Sequence, residues 1–330
     1  MRVAILGATG VVGRTMLEVL EERAFPADEI VPLASARSAG SVLRWRGRDW
    51  SVIEPGPGAF RGCEIALFSA GAVRSREWGP RAAGEGAAVV DNSSAWRMDP
   101  AVPLVVPEVN GAALADRPRG IVANPNCATI QLVLPLAALH RAAGLARVVV
   151  TTFQSVSGAG HKGVAALEAE LAGGAPVDTP FVGPIAGNVI PWIGPRGGDG
   201  WNEEELKVRE ETRKILGLPE LRVAATCVRV PVRVGHSIAA TVELERPLAV
   251  PDALSALRDW PGIVVHDTAD PLPRDVAGTD AVHIGHLRQD EDDPRVLHLW
   301  IVADNLRKGA ATNAVQIAER LLEQAAGSSV

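Results

Sequence analysis

The chain has 330 residues, of which 47% are hydrophobic, and this size and composition predict two globular domains with ample apolar core. The formal net charge is −6 at pH 7, and neither a run of lysine and arginine nor an apolar run of membrane-spanning length occurs, so we expect no nucleic-acid and no membrane partner. The three cysteines are widely spaced and include no Cys-x-x-Cys pair, which argues against a disulfide framework and favours a reducing, cytoplasmic compartment.

The first predicted element is a strand from Val3 to Leu6, which leads into a glycine-rich turn and a predicted helix from Arg14 to Glu22. The turn has the spacing Gly-x-x-Gly-x-x-Gly, in which the glycines permit a tight bend and a close approach of backbone N–H groups to a pyrophosphate. An ordinary strand-to-helix turn is the alternative. We favour dinucleotide binding, because the turn follows a strand directly and opens a helix. The turn residues predicted to contact the cofactor are Gly7, Thr9, Gly10, Val11, Val12 and Gly13.

The second predicted strand, from Ile30 to Ala34, ends where the adenosine ribose of a dinucleotide is expected. An NAD-binding protein is expected to have an acidic residue there, but this chain has two hydroxyl residues and an arginine: Ser35, Arg37 and Ser38. Hydroxyl groups and a guanidinium suit a 2′-phosphate, so the sequence predicts NADP as the cofactor. The alternative is that Arg37 is a solvated loop arginine.

Two further strands are predicted from Ile65 to Phe68 and from Ala87 to Val90, each followed by a polar turn. Strands that alternate with helical segments predict a Rossmann-type, doubly wound parallel sheet with ligands at the carboxyl ends of its strands. The first turn contains the predicted cofactor residues Ser69, Ala70 and Gly71. The second leads to Arg97, which is either an anion-binding guanidinium or a surface arginine beside Trp96.

The stretch from Asn124 to Thr129 places a cysteine at a predicted helix start. Pro125 suits the beginning of a helix and Asn126 is a good N-cap residue, so Cys127 is expected in the first helical turn. There the helix dipole and the unpaired N–H groups favour thiolate. The residues alone leave two readings open, a catalytic nucleophile and a small buried thiol.

The remainder of the chain predicts an α+β domain with a largely one-sided sheet. Its predicted strands are Arg147 to Phe153, Arg222 to Val230, Ser237 to Leu244, Ile263 to His266, Ala281 to Leu287 and Val296 to Ala303. Its predicted helices are Val164 to Leu171 and Trp201 to Leu216, and a final helix, Ala311 to Gln324, is expected to complete the first domain. Between Gly173 and Gly200 we expect an ordered irregular segment that packs on its domain or on a partner subunit.

The sequence resembles the aspartate-semialdehyde dehydrogenase family over nearly its whole length. The resemblance rests on many motifs in order, so it is far more specific than any one of them. The motifs are Gly7 to Gly13, Ser69 to Gly71, Asp91 to Arg97, Val106 to Asn110, Asn124 to Thr129, Gln154 to Gly160, Arg229 to Val232 with Gly235-His236, and Asp304 to Leu306 with Lys308 to Ala311.

This resemblance implies roles for individual residues. Cys127 is the acylated nucleophile, Gln154 orients the reacting group and His236 is the acid/base. The substrate and phosphate are held by Arg97, Asn126, Glu204, Lys207 and Arg229. Further cofactor contacts are Ser157, Gly158 and Asn305. Glu204 and Lys207 are three apart in a predicted helix and are expected to share one face, whereas Arg229 and His236 are expected on or near one extended strand.

The resemblance also implies a reaction, a cofactor and an assembly. The reaction is the NADPH-dependent reductive dephosphorylation of L-4-aspartyl phosphate to L-aspartate 4-semialdehyde through a cysteine thioester. The predicted domains are residues 1–126 with 312–330 for NADP and residues 127–311 for catalysis and dimerisation. A homodimer is expected, with a tetramer as a further possibility. Two alternatives remain open, an N-acetyl-γ-glutamyl-phosphate reductase and a non-catalytic paralogue.

Three other histidines, His161, His283 and His286, are further candidates for site residues. His283 and His286 have the spacing of metal ligands, but no third ligand is evident, so no metal site is predicted. His161 follows a glycine turn that could approach the site, and the resemblance assigns it no role.

Overall fold

The computed structural model describes residues 1–176, 178–195 and 197–327. The chain forms two compact units. The first holds Met1–Pro125 and the chain from Ala310 onward, and the second holds Asn126–Gly309. The chain thus enters the second unit one residue before Cys127.

The strands are β1 (Arg2–Leu6), β2 (Glu29–Leu33), β3 (Val42–Trp45), β4 (Arg48–Ser51), β5 (Ile65–Phe68), β6 (Ala88–Asp91), β7 (Ile121–Ala123), β8 (Leu145–Gln154), β9 (Arg222–Arg229), β10 (His236–Leu244), β11 (Ile263–Val265), β12 (Val282–Gln289) and β13 (Val296–Ala303). The α-helices are α1 (Val11–Glu22), α2 (Ala72–Gly84), α3 (Pro107–Asn110), α4 (Cys127–Ala143), α5 (Gly160–Leu171), α6 (Glu203–Leu216), α7 (Val250–Arg258), α8 (Pro273–Val276) and α9 (Thr312–Gly327).

The first unit is built on a parallel sheet with the strand order β2-β1-β5-β6-β7. Strand β1 lies between β2 and β5, and the chain order reverses at this strand, as the doubly wound prediction requires. Helices α1 and α9 pack on each other beside this sheet, which explains why the last helix belongs to the first unit. Their apolar stripes, with Met16, Leu20 and Val315 among them, join Val3 and Ile5 of β1 in one core.

The second unit is built on a mixed sheet with the strand order β11-β12-β13-β10-β8-β9. Helices α4, α6 and α7 cover one face of it. Helix α4 is buried on almost all sides, which fits its nearly continuous apolar sequence from Ile130 to Leu139. Along β8, buried and partly exposed residues largely alternate, so one face of the sheet stays accessible within the unit.

The predicted elements are present, but several ends differ. Helix α1 begins at Val11, earlier than predicted, because Gly10 with an extended backbone acts as its N-cap and Gly13 lies inside the helix. Helix α5 begins at Gly160 and α6 at Glu203, where Asn202 forms a capping box with Glu205. A π-helical segment, Arg307–Ala311, precedes the final helix. The β3–β4 hairpin and helix α7 were not predicted.

The segment from 173 to 200 has no helix or strand among its described residues. Ile185 and Ile190 are buried in it and pack with Val156 and Leu167 in a small cluster, so of the two predicted packing partners, its own domain or a partner subunit, these residues contact their own domain. Within the described part of the chain, no helix is both long and apolar enough to cross a membrane.

Candidate active site

Cys127 is the first residue of α4, and Asn126 is the helix N-cap, as predicted. Oδ1 of Asn126 accepts hydrogen bonds from the backbone N–H groups of Ala128 at 2.9 Å and Thr129 at 3.3 Å. The thiol therefore lies at the positive end of the helix dipole. This position favours its thiolate form.

The imidazole of His236 lies beside the sulfur, with Nε2 3.2 Å from Sγ of Cys127. His236 is the first residue of β10 and is fully buried. Burial is the main cause that lowers the pKa of His236, to about 3, and the charge of Arg229 adds to it against weaker opposing effects of Glu204 and the Gly235 backbone. The imidazole is therefore neutral near pH 7.

Three strand ends bring Gln154, Arg229 and His236 to one edge of the sheet. Gln154 ends β8 and is paired in register with Arg229, which ends the parallel strand β9. On the other side of β8, Ser237 of β10 is paired with Phe153, so His236 lies at the same edge of the sheet. The prediction that Arg229 and His236 lie on one extended strand is wrong, because the chain leaves β9 at Arg229 and returns in β10 on the opposite side of β8.

A buried carboxylate, that of Glu204, links the turn before Cys127 to the sheet. Its Oε1 accepts hydrogen bonds from Nδ2 of Asn126 at 2.8 Å and from Nε2 of Gln154 at 2.9 Å, and its Oε2 lies 3.5 Å from Nζ of Lys207. Burial alone would raise the pKa of Glu204, but Lys207, these two hydrogen bonds and Arg229 together hold the pKa below its usual value. Glu204 is therefore ionised, and it shares a helix face with Lys207 as predicted.

Lys207 also forms an ion pair with Glu203, with Nζ 2.8 Å from Oε1. Arg229 is almost fully buried and donates from Nη1 to the carbonyl oxygen of Ser155 at 2.6 Å. Burial lowers the pKa of Arg229, and the nearby charge of Glu204 opposes that shift. A Cβ atom on Gly158 would lie 3.0 Å from the same Nη1, so the loop approaches Arg229 only because this residue is glycine.

Two residues without a predicted role also hold Cys127 in place. Oε2 of the buried Glu211 accepts a hydrogen bond from the backbone N–H of Asn126 at 2.6 Å. Glu211 lies seven residues after Glu204, two turns along the same face of α6, and this spacing was the signal available in the sequence. A Cβ atom on Gly309 would lie 3.1 Å from Cβ of Cys127, which accounts for a glycine in the Lys308–Ala311 motif.

The predicted cofactor residues of the second unit form part of a buried network. Nδ2 of Asn305 donates to Oγ of Ser157 at 2.9 Å, and both residues are buried. Oδ1 of Asn305 accepts from Oγ of Ser155 at 2.9 Å and from the backbone N–H of Gly235 at 2.9 Å. Their assignment as cofactor ligands stays a prediction.

In the first unit, a cavity of about 210 Å³ lies at the carboxyl ends of β1, β2 and β5. Its lining contains two arginines and no acidic residue: Leu6, Gly7, Thr9, Gly10, Ala34, Ser35, Arg37, Ser38, Ser69, Ala70 and Arg74. Most predicted cofactor residues thus surround one cavity, and Arg74 joins them without having been predicted. Val11, Val12, Gly13 and Gly71 do not line it. Gly13 instead allows close packing, since a Cβ there would lie 2.2 Å from the carbonyl oxygen of Gly7.

Arg97 belongs to the first unit and is only 8% exposed, so it is not the surface arginine of the alternative reading. Its guanidinium donates from Nε to the carbonyl oxygen of Asn124 at 3.0 Å and from Nη2 to that of Asn92 at 2.7 Å. These contacts fix the orientation of the guanidinium. Its role as a phosphate ligand stays a prediction.

The histidines at positions 161, 283 and 286 have other neighbours than Cys127 and His236. Nδ1 of His283 is 2.9 Å from Nε2 of His266, and Nδ1 of His286 is 3.0 Å from Oδ2 of Asp270. His161 lies exposed near the start of α5. Among the residues that the structure describes, no three His, Cys, Asp or Glu side chains are grouped so as to hold a metal ion.

Comparison with known proteins gives a consistent result. Residues 2–117 match the family described as semialdehyde dehydrogenase, NAD binding domain, and residues 136–308 match semialdehyde dehydrogenase, dimerisation domain. The chain is 48% identical over 334 aligned positions to an aspartate-semialdehyde dehydrogenase of Aquifex aeolicus, with 98% of both chains covered. It is 44% identical to one of Bacillus subtilis, with 97% of both covered.

Solved structures agree with these relatives. Aspartate semialdehyde dehydrogenase II from Vibrio cholerae complexed with ASA superposes with a TM-score of 0.95 at 45% identity and covers 98% of both chains. Aspartate semialdehyde dehydrogenase with NADP from Candida albicans superposes with a TM-score of 0.75 at 27% identity, with 97% of this chain and 98% of that chain covered.

Proposed function

The chain belongs to the aspartate-semialdehyde dehydrogenase family, and on that premise we propose how its residues carry out the family's reaction. It is an NADP-dependent oxidoreductase that converts L-4-aspartyl phosphate, NADPH and a proton to L-aspartate 4-semialdehyde, phosphate and NADP, in the biosynthesis of lysine, methionine, threonine and isoleucine. An N-acetyl-γ-glutamyl-phosphate reductase is not favoured, and an acetylated amine would leave the ionised Glu204 without a cationic partner in the substrate. A non-catalytic paralogue is not favoured either.

Cys127 supplies the nucleophile. Its thiolate attacks the acyl carbon, the bond to the phosphate oxygen breaks, and phosphate leaves with the bonding electron pair. Arg97 and Lys207 hold the departing phosphate. Asn126 can add one amide N–H, since its Oδ1 caps α4 and only one N–H of Nδ2 is needed by Glu204. Backbone N–H groups at the start of α4 stabilise the oxyanion.

Arg229 and Glu204 orient the substrate through its charged groups. The guanidinium of Arg229 pairs with the substrate carboxylate, and Glu204 faces its ammonium group. Gln154 donates to Glu204 and thereby fixes the carboxylate beside the reacting centre. His236 acts on the intermediate bound to Cys127, because its Nε2 is within hydrogen-bond reach of the sulfur.

The first unit has the features that NADP requires. The N-cap of α1 is Gly10, which brings no side-chain cap, so the first-turn N–H groups remain available to a pyrophosphate. The cavity beside them is lined by arginine and hydroxyl groups and no acid, which supports a 2′-phosphate at Ser35, Arg37 and Ser38. The bound cofactor supplies the hydride that reduces the thioester. We therefore assign NADP binding to the first unit and catalysis to the second.

The assembly and the location follow as proposals. A homodimer formed through the second unit is supported by the match to a dimerisation domain and by the partly exposed face of its sheet. A cytoplasmic location is supported by three free cysteines, which suit a reducing compartment.

The single observation that carries the mechanism is the contact of Cys127 Sγ with His236 Nε2 at a helix start, in a unit that also buries Arg229. Phosphate-dependent NADPH formation from aspartate semialdehyde should be lost in Cys127→Ala, while NADP binding, followed by fluorescence titration, stays within about twofold of wild type. Activity with N-acetylglutamate semialdehyde in place of aspartate semialdehyde would overturn the assignment. Appreciable turnover by Cys127→Ala would overturn the thioester route.

A further inference from the structure

Two arginines line the cavity at the cofactor turn, and they come from different parts of the first unit. Arg37 lies in the loop after β2, and Arg74 is the third residue of α2, the helix that follows β5. In the sheet, β2 and β5 flank β1 on opposite sides. The cavity therefore receives a guanidinium group from both neighbours of β1.

The surroundings leave both guanidinium groups available to a ligand. The cavity lining contains no carboxylate, and its other polar side chains carry hydroxyl groups: Thr9, Ser35, Ser38 and Ser69. In the part of the chain that the structure describes, neither Arg37 nor Arg74 forms an ion pair. Arg74 is half-buried. A partly desolvated guanidinium with no carboxylate beside it is stabilised by an anion, so these residues favour an anionic ligand group.

The charge of the 2′-phosphate indicates which group of NADP the two arginines serve. A phosphate monoester carries a charge of about −1.5 to −2 at pH 7. One guanidinium balances only part of this charge, so Arg37 alone would leave the rest uncompensated. Each phosphate of the pyrophosphate carries a single charge and has its own donors, the uncapped N–H groups at the start of α1. The second guanidinium therefore matches the monoester.

The size of the cavity places both arginines at one end of the cofactor. Its volume of about 210 Å³ is below the roughly 300–1,000 Å³ of pockets that hold a drug-sized ligand, so it accommodates only part of a dinucleotide. The glycine turn after β1 and the loop after β2 line it together, and Oγ1 of Thr9 lies 3.4 Å from Oγ of Ser38 across them. Arg74 thus belongs to the adenosine end of the site and not to the nicotinamide end.

We propose that Arg74 is a specificity-determining residue that binds the 2′-phosphate of NADP together with Arg37. This inference rests on the proposed function, which assigns NADP binding to the first unit. The two residues differ in their support, since Arg37 is exposed on a loop and Arg74 is half-buried on a helix. Arg74 therefore loses less side-chain freedom on binding, and Arg37 completes the site from its exposed side.

The same pair of arginines explains discrimination against NAD. NAD has a hydroxyl group in place of the 2′-phosphate. This hydroxyl can accept a hydrogen bond from one guanidinium, but it balances the charge of neither. Binding NAD therefore covers two cations without supplying an anion, and the cost of desolvating them is not recovered.

The test measures nucleotide binding to the full-length chain, without turnover. Adenosine 2′,5′-bisphosphate and adenosine 5′-monophosphate differ only in the 2′-phosphate, and isothermal titration calorimetry compares their affinities. Arg74→Ala should weaken binding of the bisphosphate about tenfold, the loss expected for one charge-assisted contact, and change binding of the monophosphate less than about twofold. An equal loss for both nucleotides would place Arg74 on the adenine or the 5′-phosphate and overturn the proposal. Unchanged binding of both would overturn it as well.

Arg76→Ala is the matched control. Arg76 lies two residues further along α2, is exposed and does not line the cavity. Its loss removes the same charge from the same helix and should leave both affinities within about twofold, because exposed charges at a distance are screened. A tenfold loss of bisphosphate affinity in Arg76→Ala as well would show an effect of net charge and overturn the specific contact.

Two further variants test the ion pair and its partner. Arg74→Lys keeps the charge and loses the planar fork, so it should recover part of the affinity that Arg74→Ala loses. A lysine variant as weak as the alanine variant would indicate stacking of the guanidinium on adenine and overturn the proposal. Arg37→Ala combined with Arg74→Ala should weaken bisphosphate binding on the order of 100-fold. A combined loss no greater than that of Arg37→Ala would overturn the two-arginine site.

The ionisation of the bound 2′-phosphate provides an independent readout. The second pKa of a phosphate monoester is about 6, and neighbouring guanidinium groups lower it because they favour the dianion. By ³¹P NMR, the pKa of the 2′-phosphate in the bound bisphosphate should be at least about half a unit higher in Arg74→Ala than in wild type. Equal pKa values would overturn the contact between Arg74 and this phosphate.

Failure of the proposed function would give a different result. If the wild type formed no NADPH from aspartate semialdehyde and phosphate, the proposed function would be refuted and the difference between the two nucleotides would stand. If that difference did not depend on Arg74, the role of Arg74 would be refuted and the reaction would stand.

Discussion

The turn that carries Cys127 and the turn that precedes α1 are both helix starts, but they are built in opposite ways. Around Cys127, buried side chains provide nearly every contact: Asn126 caps the helix, Glu204 and Glu211 bind Asn126, and His236 faces the sulfur. At the start of α1, Gly10 provides no side-chain cap, and nearby Arg37 is exposed.

The difference reflects what each turn must do. A thiolate nucleophile needs neighbouring polar groups that are already in position and shielded from water, because such groups stabilise the charge that develops in the reaction. A dinucleotide must enter and leave in each cycle, so its site offers backbone N–H groups and an exposed arginine, Arg37, as its binding groups. Substitutions in the turn that carries Cys127 should therefore change kcat, and substitutions in the turn that precedes α1 should change NADP affinity.

The largest effect is expected from Gly13→Ala. The added Cβ would lie 2.2 Å from the carbonyl oxygen of Gly7, a backbone atom, so the cofactor turn itself must shift. NADP affinity should fall on the order of 100-fold, as measured by isothermal titration calorimetry. Gly111→Ala is the matched control, since Gly111 has helical backbone angles and open space at its Cβ position. Equal NADP affinity in both variants would remove the distinction between the two turns.

The next effect is expected from Asn126→Ala, which removes the cap of α4 and the contact with Glu204. We expect kcat to fall roughly 20-fold and the stability of the second unit to fall by about 1 kcal/mol, with NADP affinity unchanged. Asn126→Ser keeps a capping oxygen and lacks the amide donor, so it separates the two contributions. Steady-state kinetics and denaturant titration provide the measurements. Weaker NADP binding in Asn126→Ala would contradict the proposal that the Cys127 turn affects kcat and only the turn before α1 affects NADP affinity.

Arg37→Ala should have a smaller effect, confined to the cofactor. Loss of one charge-assisted contact should weaken NADP binding about tenfold and leave NAD binding unchanged. Arg44→Ala serves as control, because Arg44 is exposed on the β3–β4 hairpin and pairs only loosely with Asp49 at 3.9 Å. Parallel kcat/KM values for the two cofactors measure the preference. An unchanged preference would place the 2′-phosphate elsewhere.

The smallest effect concerns the dependence of stability on pH. The pKa of His236 is lowered from 6.5 to about 3 in the folded state, so the unfolded chain binds a proton that the folded chain rejects. The free energy of unfolding that comes from burying the neutral imidazole is fully present above pH 6.5 and is lost as the pH falls toward 3. Between pH 7 and 5.5 the wild type should lose about 1 kcal/mol more than His236→Gln in denaturant titrations. Parallel stability curves would show that His236 is not buried in its neutral form.

The sequence predicted the elements of the first unit well because each depends on its neighbours along the chain. The apolar run of β1, the glycines after it and the capping residue Asn126 are local signals, and each has one good structural use. The helix start at Val11 was missed because Gly10 can act as an N-cap without a side chain.

The motifs of the whole chain also predicted residues of the active site, including Gln154, Glu204 and Arg229. The motifs did not predict how these residues are arranged in space. Arg229 and His236 are seven residues apart in the sequence, and this spacing predicts that both lie on or near one extended strand. The structure places them on either side of β8 instead. The hydrogen bond from Ser155 to Asn305 joins residues 150 positions apart in the sequence, a contact that no local pattern predicts.

The sequence by itself therefore determined the chemistry that this protein can perform, because a thiol at a helix start, a glycine turn after a strand and the ordered family motifs are written in residue type and spacing. Only the tertiary structure decided which atoms face each other. Strand order and register fix the partners of Gln154, Arg229 and His236, and burial fixes their charge. Both depend on contacts between distant segments, where the cost of closing the chain is met by packing of the whole core and not by any one local preference.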